Sequence, residues 1–163
     1  MSAASTPARE EALDQYLADR GTSGLFTRLA RVGLLLQSFQ EGCLGPFGLR
    51  FIDFSVLRVL ELAGPPYCMS PTRLSQIVLR PTGGVTQILD RLQRDGWIER
   101  SPDPSDRRKI IVALTEAGLE LSRRANQRYA EARAGLLGDL TDAEVEAIDS
   151  ALRRLLDAWG EPA

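Results

Sequence analysis

The stretch from Ser70 to Thr115 constrains the fold more than any other part of this 163-residue chain. Ser70 is a good N-cap and Pro71 a good first helical residue, so a short helix should run from Pro71 to about Val78. A brief interruption over Leu79 to Thr82 precedes a second helix from about Gly83 to Asp95, closed by Gly96 just past its end. Leu74, Ile77, Val85, Leu89 and Leu92 supply the packing between the two. Trp97 to Arg100 then reads as a strand and Ile110 to Leu114 as its partner, with the turn-rich Ser101 to Arg108 between them. Helix, tight turn, helix and hairpin describe a mainly α fold with a small β-hairpin wing, a winged helix-turn-helix.

The side chains this arrangement would expose are those that meet nucleic acid. On the second helix, Thr82 and Thr86 can bond phosphate or touch a thymine methyl, and Gln87 can pair with adenine in the major groove. Arg91 lies on the same helix, and Arg73 and Arg80 on the helix and turn before it, adding positive charge. Arg107 and Arg108, at the end of the hairpin loop, suit insertion into an adjacent minor groove, where narrow A·T-rich sequence concentrates negative potential. Asp106 cannot favour phosphate, and the expectation is that it holds Arg91 or Arg94 so that wing and second helix stay aligned. The chain's net charge of −2 hides a polarity that fits this reading. Residues 71–114 carry eight basic and five acidic groups, so the middle is basic and the ends are acidic.

The flanks read as assembly elements. A short helix over Glu10 to Asp19 precedes a longer one from about Thr22 to Cys43, in which Leu25, Leu29, Val32, Leu36, Phe39 and Cys43 alternate by four and three, the spacing of a coiled-coil seam. Ile52 to Ala63 reads as a further helix, stopped by Gly64-Pro65-Pro66. Thr141 and Glu144 form a capping box that opens a last helix, with Val145, Ile148, Leu152, Leu155 and Trp159 as a second seam. The two seams could pack on each other within one chain, or interleave with a second copy about a twofold axis. With a DNA-reading element between them, the dimer is the expectation. The implied organisation is a disordered tail at 1–9, N-terminal dimerisation helices at 10–45, a winged helix-turn-helix domain at 46–115 and C-terminal dimerisation helices at 116–163.

Several function classes drop out. The chain has no histidine, which removes Ser-His-Asp and Cys-His catalysis and most zinc sites. It has no phosphate-binding glycine loop, and Cys43 and Cys68 have no metal-ligand spacing. They read as small packed residues, with a redox sensor as the alternative. No enzyme activity, cofactor or metal is expected. No apolar run is long enough for a membrane helix, and the first nine residues lack a secretion signal, so a cytoplasmic protein without a membrane partner is expected.

The combination Val85-Thr86-Gln87-Ile88-Leu89-Asp90-Arg91-Leu92, Gly96-Trp97-Ile98-Glu99-Arg100, Asp103-Pro104-Ser105-Asp106-Arg107-Arg108 and Leu114-Thr115-Glu116-Ala117-Gly118 resembles the MarR family of bacterial transcription regulators. That resemblance implies a homodimer whose two winged lobes straddle a pseudo-palindromic operator in double-stranded DNA. It also implies repression relieved by a small ligand bound between the dimerisation helices and each lobe. A winged-helix module that binds protein instead of DNA is the competing reading.

A finer resemblance is to the branch that includes urate-responsive sensors, through Gly64-Pro65-Pro66-Tyr67, Ser70-Pro71-Thr72 and Gly83-Gly84-Val85-Thr86. Those sensors hold the anion with an early tryptophan, an acid in the helix before Gly64 and an arginine in the recognition helix. Here Tyr16 is the large aromatic near the start, Ser55 stands at the acidic position and Ile88 at the arginine position. A more apolar, aromatic or phenolic ligand is therefore expected in place of urate, with Phe26, Phe47, Phe51 and Phe54 as its lining. The same phenylalanines could equally be core.

Overall fold

A computed structural model describes residues 21–78, 82–104 and 106–160. The expected tail at 1–9, the helix over Glu10 to Asp19, Tyr16 and Arg80 lie outside the described residues. Among the described residues, six α-helices and three short strands follow in the order α1 (Thr22–Leu44), α2 (Phe51–Leu62), β1 (Cys68–Met69), α3 (Pro71–Ile77), α4 (Thr82–Arg94), β2 (Ile98–Pro102), β3 (Ile110–Leu114), α5 (Glu116–Leu136) and α6 (Asp142–Ala158).

The boundaries follow local chemistry. The Ser70 hydroxyl accepts from the Arg73 amide at 3.3 Å and opens α3. Gly96, at φ 78°, ends α4 in the left-handed conformation that a side chain disfavours. The Thr115 hydroxyl accepts from the Gly118 amide and donates to the Gly96 carbonyl at 2.8 Å, so one side chain caps α5 and ties it to the end of α4. Gly118 itself must be glycine, because a Cβ there would sit 1.9 Å from the Trp97 carbonyl oxygen. The capping box at Thr141 and Glu144 is present.

The hairpin β2–β3 pairs Ile98 with Leu114, Arg100 with Val112 and Pro102 with Ile110. Sequence reading missed β1, which adds to β3 with Cys68 opposite Ala113 and gives the sheet order β1-β3-β2. Two residues are too few to show an alternating pattern.

One apolar core joins α1's end, α2, α3, α4, the sheet and α5. Leu44, Val56, Leu57, Leu60, Leu74, Val85 and Val112 are fully enclosed, and Leu89, Leu92 and Ile98 nearly so. Each leucine so buried stabilises the fold by about 2 kcal/mol. Ile77, expected between α3 and α4, is instead 41% exposed at the last turn of α3. Cys43 is buried at the end of α1 and Cys68 is half-buried; both are free thiols.

The long flanking helices behave differently. In α1 only Gly24, Cys43 and Leu44 are buried, and α6 has no buried residue. Leu25, Val32 and Leu36 of the first seam and Ile148, Leu152 and Trp159 of the second all stand more than two-fifths exposed, so the two seams do not cover each other within the chain. Among the described residues no helix is long and apolar enough to cross a membrane.

Candidate nucleic-acid interface and ligand groove

Helix α4 divides cleanly into two faces. Val85, Ile88, Leu89 and Leu92 are buried against α2, α3 and the sheet, while Gly83, Thr86, Gln87, Asp90 and Arg94 face outward. Thr86 and Gln87 thus stand where the sequence put them, on the surface of the second helix of the helix-turn-helix. Thr82 begins that helix, and its side chain lies outside the described residues. Arg73 is exposed on α3, with its guanidinium 3.3 Å from the Gln76 side-chain oxygen.

The wing follows β2. Asp103 and Lys109 close it through the Asp103 amide to the Lys109 carbonyl, 2.9 Å, and Arg107 and Arg108 occupy the turn at its tip. Arg108 is almost completely exposed, with its side chain 97% accessible. Asp106 corrects an expectation. Its carboxylate accepts from the Arg108 amide at 3.1 Å and lies 3.6 Å from the Lys109 ammonium, so it shapes the wing's own turn and holds neither Arg91 nor Arg94.

Arg91 is also corrected. Its guanidinium is directed inward, onto the carboxylate of Asp53, whose side chain is 3% exposed. Asp53 is the third residue of α2 and simultaneously accepts from the Arg50 amide at 3.1 Å, capping that helix. Arg91 therefore anchors α4 to the start of α2 and is not a free cation for phosphate. Ile88, given the arginine position by the urate-sensor resemblance, is core, and Ser55 spends its hydroxyl on the Phe51 carbonyl at 2.8 Å. Yet the two helices in question do supply an acid and an arginine in contact, Asp53 and Arg91. Ser55 and Ile88 therefore give no ground against an anionic ligand.

A link between recognition helix and wing does exist, made by a residue that sequence reading passed over. Arg100 on β2 donates to the Asp90 carboxylate at 2.6 Å and reaches the Thr86 carbonyl at 3.4 Å. The signal was present: Arg100 has the same phase as buried Ile98 and sits opposite buried Val112, so a charge was due on the sheet's inner face. A pair this exposed adds under about 1 kcal/mol to stability, so its importance is geometric.

Aromatic residues from α1, α2 and α5 gather around one point. The ring of Tyr129, also unforeseen, lies 5.5 Å from Phe39, 5.5 Å from Phe54 and 6.1 Å from Phe51. Beside them a groove of about 480 Å³ is lined by Phe51, Phe54, Ser55, Arg58, Val59, Asn126, Tyr129 and Arg133. Two arginines stand in its walls. On the other side of Phe51 and Ser55, a second groove of about 590 Å³ runs between α1 and α2, past Gln37, Gln40 and Arg50. Phe26 and Phe47 line neither groove: Phe26 is exposed on α1, and Phe47 lies 5.9 Å beneath the Arg124 guanidinium.

Comparison with known proteins gives a consistent result. A model of the MarR family matches residues 47–109. The multiple antibiotic resistance protein MarR of Salmonella typhimurium is 30% identical over 145 residues, spanning 84% of this chain and 99% of that protein. Mutant MarR from E. coli, solved in complex with operator DNA, is 28% identical and superposes with a TM-score of 0.73 over 81% of this chain and 93% of that one. CouR from Rhodococcus jostii RHA1, solved bound to p-coumaroyl-CoA, is 27% identical with a TM-score of 0.70 over 86% and 94%.

Proposed function

The chain belongs to the MarR family of DNA-binding transcription regulators, and on that premise we propose that it is a homodimeric repressor released from a pseudo-palindromic operator by a small aromatic ligand. The observation that carries the DNA half of this reading is the pairing of an outward-facing Thr86 and Gln87 on α4 with Arg107 and Arg108 at the tip of the adjoining hairpin. One element suits a major groove and the other the minor groove beside it. The relative complexed with operator DNA supports the same use of the fold.

Two uncovered apolar seams support the dimer. Helix α6 and its C-cap present Ile148, Leu152 and Trp159 to solvent, and α1 presents Leu25, Val32 and Leu36. A second copy would bury both sets and place the two recognition helices about one helical turn of DNA apart. The groove between α2 and α5 is the proposed ligand site. Phe51, Phe54 and Tyr129 offer flat apolar surface, and Arg133 offers charge for an acidic group, next to an Arg58 that is paired with Glu61 at 2.8 Å. CouR's p-coumaroyl-CoA complex supports an aromatic ligand in a protein of this shape.

Gel shifts with the DNA upstream of the protein's own gene test the reading. Binding should require two half-sites roughly 10 base pairs apart. Arg107→Ala or Arg108→Ala should weaken binding and flatten its salt dependence by about one unit for each phosphate left without its arginine. Unchanged affinity and salt slope in both variants would overturn the wing's part in it.

A further inference from the structure

We propose that Arg100 is a positioning residue for DNA recognition: by holding Asp90, it fixes the wing at a set distance from the recognition helix. The proposal rests on the reading of Arg107 and Arg108 as the wing's DNA contacts. It begins with where Arg100 stands on the sheet. Ile98, Arg100 and Pro102 share one face of β2, across from Leu114, Val112 and Ile110 on β3. Ile98, Val112 and Leu114 on that face are buried, whereas Ile110 is 44% exposed. The apolar core thus supports the hairpin only as far as the Arg100–Val112 pair, and beyond it the strands run out into solvent as the wing. Arg100 occupies the last supported position.

From there its guanidinium reaches across to α4 in two places, the Asp90 carboxylate at 2.6 Å and the Thr86 carbonyl at 3.4 Å. Asp90 and Thr86 lie one turn apart on the outward face that also carries Gln87. One planar group therefore holds one turn of the helix on its outward side, and its five donors in a fixed fork make it suited to that task. The ion pairs of Asp106, with Arg108 and with Lys109, close instead within the wing's own turn.

A double-mutant cycle on a duplex that the natural protein selects from a random pool tests this. Arg100→Ala should flatten the salt dependence as much as the paired change Arg107→Ala with Arg108→Ala, by up to about two units. Adding Arg100→Ala to that pair should cost nothing more, because the residue acts through the wing's arginines. Minor-groove protection flanking the site should disappear in Arg100→Ala while guanine protection in the major groove persists. Asp90→Asn, which keeps the side chain's shape, should shift both readouts the same way with the thermal midpoint unchanged. If Arg107→Ala with Arg108→Ala alters the slope and Arg100→Ala does not, the positioning role is wrong and the wing reading stands. If the losses simply add, or major-groove and minor-groove protection fall together with the thermal midpoint, Arg100 only supports the fold. If removing the wing arginines changes nothing, both readings fall.

Discussion

The guanidinium of Arg91 closes on the carboxylate of Asp53, fastening the recognition helix to the first turn of α2 across 38 positions of sequence. One carboxylate serves two helices, since its other oxygen caps α2 through the Arg50 amide. Removing either partner leaves the other charge stranded in or beside the core.

Asp53→Ala should therefore destabilise the protein by about 3 kcal/mol, and Arg91→Ala by a similar or smaller amount because its side chain is 23% exposed. In a chain of this size that corresponds to a fall of roughly 6–12 °C in Tm, measurable by thermal unfolding. Nonspecific DNA affinity per folded molecule should survive in Arg91→Ala. A loss of affinity with Tm unchanged would instead make Arg91 a direct partner of DNA.

Gln87 faces outward on α4 with no packing duty. Gln87→Ala should leave Tm and nonspecific binding within error and reduce discrimination at one base pair of each half-site by about 1–3 kcal/mol. Sequence selection from a random duplex pool reads this directly, and an unchanged motif would remove Gln87 from base recognition.

Charge placed in the uncovered seams should separate the proposed protomers. Leu152→Arg on α6 and Val32→Glu on α1 alter positions that are 44% and 59% exposed in the single chain, so the folded lobe should be spared. Sedimentation should show a monomer in place of the proposed dimer of the natural protein, and affinity for a two-half-site duplex should collapse toward that for one. A dimer persisting in both variants would point to another interface.

The cap of α6 should respond to acid. The Thr141 backbone amide donates to the Glu144 carboxylate at 2.8 Å and the Thr141 hydroxyl at 2.7 Å, which holds that carboxyl below its ordinary range. A lowered value in the folded state means the cap's contribution is complete above the unfolded Glu value and disappears as pH falls through the folded one. Helicity should thus decline below about pH 4.5 in the natural protein, and Glu144→Gln should remove that part of the decline. Identical acid titrations by circular dichroism would rule the cap out as its source.

Most of the fold was legible because its signals are local. Ser70, Gly96 and Thr141 announce helix ends by their own chemistry, and the β-branched apolar run of Ile110 to Leu114 announces a strand. What stayed hidden depends on partners distant in sequence. Asp53 looks like any acid in a first helical turn until α4 folds over it. Asp106 sits next to a pair of arginines and invited a long-range role, but its nearest donors are those of its own turn. Tyr129 emerges as the centre of an aromatic cluster only once α5 lies along α2. Arg100 is the intermediate case, since strand phase marks it as facing inward but cannot say what it meets.

The lack of any buried residue in α6 has a consequence for how such a protein would be counted in a cell. In the proposed dimer a helix with no core of its own would draw its stability from mass action, so the folded fraction of this last helix would rise with the number of copies made. Dilution would then erode the reader's geometry and its chain integrity together, exposing that helix to proteolysis when copies are few. The proposed repression would then set in over a narrower span of protein level than a monomeric reader allows, with abundance itself acting as an input alongside the proposed ligand.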